Sequence, residues 1–110
     1  MENHLEKQRK VNLKKLVSNA RAIVTYQIGI PFGCRRMNGI LFRLKSLNYP
    51  VFEEYRAATQ ELPTGSERLR WDRKILKQKD IELEAINKKF RETIFDACYE
   101  IIDSYSNSES

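Results

Sequence analysis

Few side chains in this chain of 110 residues are suited to catalysis or metal binding. The only histidine is His4, close to the N-terminus, where chains commonly fray. A hydrolase or nuclease usually needs a histidine in a packed cleft as its acid or base. The cysteines, Cys34 and Cys98, fit no zinc or redox spacing, so we interpret them as free core thiols. We therefore expect no enzymatic activity, no cofactor and no metal.

A glycine-containing segment at 29–33 is followed directly by Arg35 and Arg36. It lacks the lysine and the preceding strand of a phosphate-binding loop. The two arginines stand near the start of a predicted helix, so an anion at the free backbone N–H groups is one interpretation. We favour the other, in which Gly29 and Gly33 allow two helices to cross closely and the arginines are solvated.

The clearest cluster of ionisable groups lies near the C-terminus, and we call it the acidic strip: Glu92, Asp96, Tyr99, Glu100 and Asp103. Their three- and four-residue spacing places them on one face of a helix predicted over 80–104. The opposite face of that helix is apolar and is expected to face the core: Leu83, Ile86, Phe90, Ile94, Ala97, Cys98, Ile101 and Tyr105.

Helix energetics oppose the acidic strip. Glu92–Asp96 and Asp96–Glu100 are like-charge pairs at i,i+4, each costing roughly 0.2–0.5 kcal/mol. Negative charge near a helix C-terminus also interacts unfavourably with the helix dipole. We therefore hypothesise that a basic partner docks here, steered by charge and held by Tyr99. The alternative is an ordinary solvated face, or one paired with basic groups in the chain's own N-terminal half.

The N-terminal half is strongly basic. Residues 1–45 carry ten Lys and Arg against two Glu, whereas 46–110 carry ten against thirteen acidic residues. Four cations share one side of the first predicted helix, and we call them the basic stripe: Lys7, Lys10, Lys14 and Arg21. The stripe could follow nucleic-acid phosphates without sequence specificity. No recognition motif accompanies it, so a solvated face is favoured.

Length and composition indicate a single domain over 1–110, with residues 1–5 and 106–110 frayed. The hydrophobic fraction of 41% and charged fraction of 32% are typical of a globular protein. No apolar run reaches bilayer length, and Met1 is not followed by a secretory signal. We expect a cytoplasmic protein with no membrane partner.

The apolar spacing predicts an all-α fold, a four- to five-helix up-and-down bundle. Helices are expected over 6–28, 31–46 and 51–59. Thr64 and Glu67 have capping-box spacing, so a further helix should start at Thr64. Asp80 resembles a new N-cap, so we predict a break between Lys79 and Asp80 before the last helix.

One loop segment carries a recognisable pattern of five residues: Leu62, Pro63, Gly65, Arg68 and Trp71. Arg68 lies one turn before Trp71, the only tryptophan, and could stack on its ring or brace the loop. We interpret these residues as a structural motif that pins the loop onto the bundle. Two further segments complete the pattern: 28–29 with 33–37 (Gly-Cys-Arg-Arg-Met), and Ala97-Cys98. Together they resemble a family of small uncharacterised bacterial all-helical proteins over residues 20–105.

The resemblance implies a helical single domain and no established activity. Small bacterial helical proteins of this kind are often encoded as immunity partners of toxins, which by analogy suggests a toxin inhibitor. Many such toxins are nucleases with a positively charged surface that binds nucleic-acid phosphates. An acidic strip would be complementary to that surface. The alternatives are a small nucleic-acid-binding or accessory protein using the basic stripe, and a structural subunit of a larger assembly.

Overall fold

Four α-helices form the protein in a computed structural model that describes residues 3–109. They are α1 (His4–Val24), α2 (Ile30–Arg43), α3 (Pro50–Ala58) and α4 (Arg73–Tyr105). Short 3₁₀ helices follow at Ser66–Arg70 and Ser106–Glu109. No strand occurs among the described residues, so the predicted all-α single-domain bundle is confirmed. Within this range no helix is both long enough and apolar enough to cross a bilayer.

The helices alternate in direction. The Asn19 side-chain amide donates to the Gly33 carbonyl (2.9 Å), and Arg9 donates to Ser46 (3.2 Å), so α1 and α2 are antiparallel. Tyr26, just beyond α1, packs its ring on Phe95, while α1 also contacts the segment at 106–109. Helix α1 therefore also runs antiparallel to α4. Its basic N-terminal half and the acidic end of α4 lie at the same end of the molecule.

The core lies where α1, α2 and α3 surround the C-terminal third of α4. From α4 only Ile94, Cys98 and Ile101 are fully buried. The other helices contribute a larger apolar set: Leu13, Leu16, Val17, Ala20, Ile23, Cys34, Met37, Ile40, Leu44, Val51, Phe52 and Tyr55. The remaining inward residues predicted on α4 are partly exposed: Leu83, Ile86, Phe90, Ala97 and Tyr105. For Leu83 and Ile86 the reason is that the N-terminal half of α4 extends past α1.

The predicted break between Lys79 and Asp80 is wrong. Helix α4 runs unbroken through both positions, since no Gly or Pro interrupts 73–105. The Asp80 carboxylate does not cap a helix; it accepts two hydrogen bonds from Arg68 at 2.6 and 2.9 Å. The N-cap is Asp72, whose side chain accepts from the Lys74 N–H at 2.9 Å.

The helix predicted to start at Thr64 is replaced by one 3₁₀ turn and an extended residue, Trp71. The Glu67 carboxylate accepts from the backbone N–H groups of Thr64 and Gly65 (3.0 and 3.1 Å), as a capping box would. The predicted capping hydrogen bond to Glu67 therefore forms, but it starts a single 3₁₀ turn. The chain is extended at Trp71, and α4 begins after it as a separate helix.

The other boundaries differ by a few residues. Helix α1 ends at Val24 rather than 28, because Tyr26 adopts a left-handed conformation with φ of 62°. Helix α2 ends at Arg43 rather than 46. The frayed ends predicted at 1–5 and 106–110 are helical at His4, Leu5 and 106–109, while residues 1, 2 and 110 lie outside the described range.

Candidate partner-binding surface

The acidic strip lies on the exposed face of the C-terminal half of α4, as its spacing predicts. All five of its residues are exposed, and Tyr99 keeps 51% of its surface accessible. The strip is presented by a rigid segment, because Ile94, Cys98 and Ile101 anchor the opposite side of the same turns in the core.

The acidic strip has few countercharges of its own. The salt bridges described within 3–109 lie elsewhere: Arg56–Glu53, Arg68–Asp80, Lys79–Glu82 and Arg91–Glu84. The last turn of α4 contains no basic residue. The negative charge of the strip is therefore not neutralised by those pairs, although the basic half of α1 lies at the same end of the molecule.

A depression of about 330 Å³ borders one edge of the acidic strip, between the start of α3 and α4. Asp96 and Glu100 line it from α4, and Glu54 lines it from α3. Val51 and Ala97 supply apolar wall. Three carboxylates around a partly apolar recess suit the ammonium or guanidinium group of a long basic side chain, whose methylenes would contact the apolar wall.

The sequence did not identify Glu54 as part of this surface. Its signal is weak but present: Glu54 lies one helical turn after Val51, which is buried. A residue at i+3 from a core position flanks the interhelical contact, so it could be assigned to the edge of α3. Which neighbouring helix it faces depends on packing.

Tyr49, which also lines the recess, has a raised pKa. Burial raises the pKa of Tyr49, and a hydrogen bond with Tyr105 and the negative charge of Glu100 raise it further. Tyr49 is therefore neutral at physiological pH and adds no charge to the recess.

The basic stripe lies on the exposed side of α1. Its four residues are exposed on α1, but Lys10 and Arg21 already interact with other groups of the chain. Lys7 instead lines a shallow groove between α1 and α2 with Lys15 and Arg43, two cations outside the predicted stripe.

The structural motif in the loop holds three segments together. Arg68 donates to the Pro63 carbonyl (3.2 Å) and forms the paired bonds to Asp80, so it braces the loop against α4. Trp71 is half-buried. Of the two roles predicted for Arg68, stacking on Trp71 and bracing the loop, these hydrogen bonds support bracing.

The two arginines of α2 separate. Arg36 lies over the Phe32 ring at 5.8 Å, whereas Arg35 donates to the Thr64 hydroxyl at 2.7 Å and joins α2 to the loop. Of the two glycines expected at a close helix crossing, only Gly33 is buried against α1; Gly29 is exposed as the N-cap of α2.

The described residues contain no group of three or more His, Cys, Asp or Glu side chains placed to hold a metal ion. Cys34 and Cys98 are buried free thiols, and burial raises the pKa of each to about 12. Comparison with protein-family models, curated proteins and solved structures finds no match for this chain.

Proposed function

We propose that this protein is a non-enzymatic, cytoplasmic protein-binding module of the immunity type, which binds and neutralises a basic bacterial toxin domain. The acidic strip on α4, together with the carboxylate-lined recess beside it, is the observation that carries the proposal. Like-charge pairs along an exposed helix face lower helix stability, so a binding role gives this pattern a compensating advantage.

The acidic strip and the recess would contribute differently to binding. The exposed carboxylates raise the association rate with a basic surface and make it dependent on ionic strength. Tyr99 offers a large amphipathic contact of the kind that dominates interface energetics. Asp96, Glu100 and Glu54 would receive one Lys or Arg side chain of the partner. Specificity then depends on a partner that places an aromatic-accepting pocket and a basic side chain at matching positions.

The non-enzymatic part of the proposal rests on the scarcity of catalytic groups. His4 is exposed in the first turn of α1, and both cysteines are kept as thiols by burial. The carboxylates of the acidic strip are exposed on the surface of α4 rather than gathered in a cleft.

The test is affinity capture from a lysate of the native host at low and high salt, with Asp96→Lys/Glu100→Lys as the variant. We expect wild-type protein to retain a basic protein that salt releases, and the variant to lose it. The variant should unfold at the same or slightly higher denaturant concentration. Positions 96 and 100 still repel each other, but the repulsion between Glu92 and position 96 becomes an attraction of roughly 0.2–0.5 kcal/mol, and positive charge near the C-terminus of the helix is favourable. Kinetics with the purified partner should show a slower association rate for the variant.

The matched control is Glu61→Lys/Glu82→Lys, which makes the same change in net charge away from the acidic strip. Both side chains are exposed. The control should bind like wild type. Equal loss in both variants, or an unchanged association rate in the Asp96/Glu100 variant, contradicts the assignment. A stable dimer mediated by α4 would instead favour an assembly subunit.

The second candidate is nucleic-acid binding by the α1–α2 groove, which the convergence of Lys7, Lys15 and Arg43 favours. Each lost phosphate contact should lower the slope of log affinity against log salt by roughly 0.9 for duplex DNA. Replacement of these three residues by Gln should then weaken duplex binding, while the Asp96/Glu100 variant retains it.

A further inference from the structure

A second cavity, separate from the acidic strip, lies where the first turns of α2 meet the end of α3 and the loop at 62–67. Its volume is about 260 Å³. Its lining shares no residue with the acidic strip or with the recess beside it. Two of its three segments are joined directly by the hydrogen bond between Arg35 and Thr64, which are 29 positions apart in the sequence.

The cationic side of the cavity consists of Arg35 and Arg56. Arg35 uses Nη2 to donate to the Thr64 hydroxyl at 2.7 Å. Because that hydroxyl oxygen accepts, its own O–H stays available to donate to a ligand. Arg56 bonds Glu53 through Nε and Nη2, and its Nη1 takes part in none of the described hydrogen bonds.

The only carboxylate in the lining is turned to the loop backbone. Glu67 Oε1 accepts from the N–H groups of Thr64 and Gly65 at 3.0 and 3.1 Å. These bonds orient Glu67, although its charge still acts on Arg35. The lining residues by themselves carry two guanidinium groups and one carboxylate, a net positive charge, while Glu53, outside the lining, pairs with Arg56.

The remaining wall is apolar or neutral. Pro31 and Leu62 supply apolar surface, while Cys34 and Tyr55 form a buried floor. Burial raises the pKa of the Cys34 thiol to about 12 and that of Tyr55 as well, so both stay uncharged at neutral pH. An anion entering the cavity meets no negative charge at this floor.

We propose that this cavity binds a small carboxylate with a short apolar body, whose carboxylate contacts Arg35, Arg56 and the Thr64 hydroxyl. The planar fork of arginine matches a carboxylate, and the apolar wall favours a carbon chain over a bare inorganic anion. The volume lies just below the roughly 300–1,000 Å³ of cavities that hold drug-sized ligands, which indicates a smaller molecule. This site is independent of the proposed partner surface.

The test is calorimetric titration of the full chain with acetate, butanoate and hexanoate, with hexanamide as the neutral analogue and inorganic phosphate as the competing anion. We expect saturable binding in the millimolar range or tighter that improves with chain length, and no comparable binding of hexanamide or phosphate. The variant Arg35→Gln should weaken hexanoate binding about tenfold or more, the loss expected for a charged hydrogen bond.

The matched control is Arg36→Gln, the same change one position along α2, on a side chain that lies over Phe32 and outside the lining. It should bind hexanoate within about twofold of wild type. Thr64→Val removes the hydroxyl alone and should also weaken binding, which protects the test if Arg35→Gln loosens the loop. The proposal is overturned if no carboxylate binds saturably, if hexanamide or phosphate binds as well as hexanoate, or if the Arg35 and Thr64 variants bind as wild type does.

Discussion

Arg68 joins segments of the chain that are distant in the sequence. Its guanidinium bonds both carboxylate oxygens of Asp80 and the carbonyl of Pro63. The loop at 62–71 has no buried anchor other than Pro63, so this one side chain determines how the loop sits on α4. The hydrogen bonds from Arg68, and then its positive charge, lower the pKa of the Asp80 carboxyl below its usual value.

Removal of this ion pair by Asp80→Asn should lower the melting temperature at neutral pH, by less than a core truncation does. Because the folded-state pKa of Asp80 is depressed, its contribution is present above the unfolded pKa near 4 and disappears as the pH falls through the lower folded value. The difference in melting temperature between wild type and variant, measured by circular dichroism, should therefore shrink in acid.

Glu53→Gln is the comparison for that experiment. Glu53 pairs with Arg56 within one helix and anchors no second element. We expect little change in melting temperature at any pH. A loss as large as that from Asp80→Asn would contradict the special role assigned to the Arg68 bridge.

At the scale of elements, the crossing of α1 and α2 depends on a missing side chain. A Cβ built on Gly33 would lie 2.5 Å from Cγ1 and 2.8 Å from Cδ1 of Ile23, which is itself buried. Asn19 bonds the Gly33 carbonyl at the same crossing, so the two backbones cannot easily separate.

Gly33→Ala should destabilise the protein by about 1–2 kcal/mol, since overpacking outweighs the gain in helix propensity. Gly39→Ala, on the same helix with nothing within 4 Å of the added Cβ, should instead stabilise it by about 0.5–1 kcal/mol. Urea unfolding measures both. The double variant Ile23→Ala/Gly33→Ala should lose less free energy of unfolding than the sum of the two single variants. If Gly33→Ala is as stable as wild type, the two helices adjust freely at their crossing and the prediction is wrong.

The sequence predicts the helices well and their junctions poorly, for a physical reason. Helix interiors follow from the apolar period, which is local, so α1, α2 and α3 lie close to their predicted bounds. Asp80 has the side chain of an N-cap, but a partner twelve residues earlier uses its carboxylate, and no local rule contains that partner. The exposure of the acidic strip was predictable from spacing alone, whereas Glu54 joins the recess only through the packing of α3 on α4.

At the scale of the whole molecule, the two thiols report on global unfolding. Cys34 on α2 and Cys98 on α4 are each exposed by 1% or less, and burial raises both pKa values to about 12. A thiol reagent needs an accessible thiolate, so neither should react in the native state at pH 8.

Both thiols should react together once denaturant unfolds the core, and their reaction rate should follow the unfolding transition. Ser18→Cys adds an exposed thiol on α1 as the positive control, and it should react at once in the folded protein. Rapid reaction of one native cysteine would mean that part of the core opens separately.

The length of α4 has a consequence for proteolysis. The helix has twelve residues more than α1. Tyr26, just beyond the end of α1, packs on Phe95, so the part of α4 before Phe95, roughly 33 Å long, lies mostly beyond α1 in a molecule 57 Å long. Its first turns contain Arg73, Lys74 and Lys77, all exposed, while its buried residues begin only at Ile94. A protease needs locally unfolded backbone, and unwinding these turns exposes little core. A trypsin cut near the start of α4 would therefore leave the bundle folded, and its rate would measure how often the Arg68–Asp80 bridge opens.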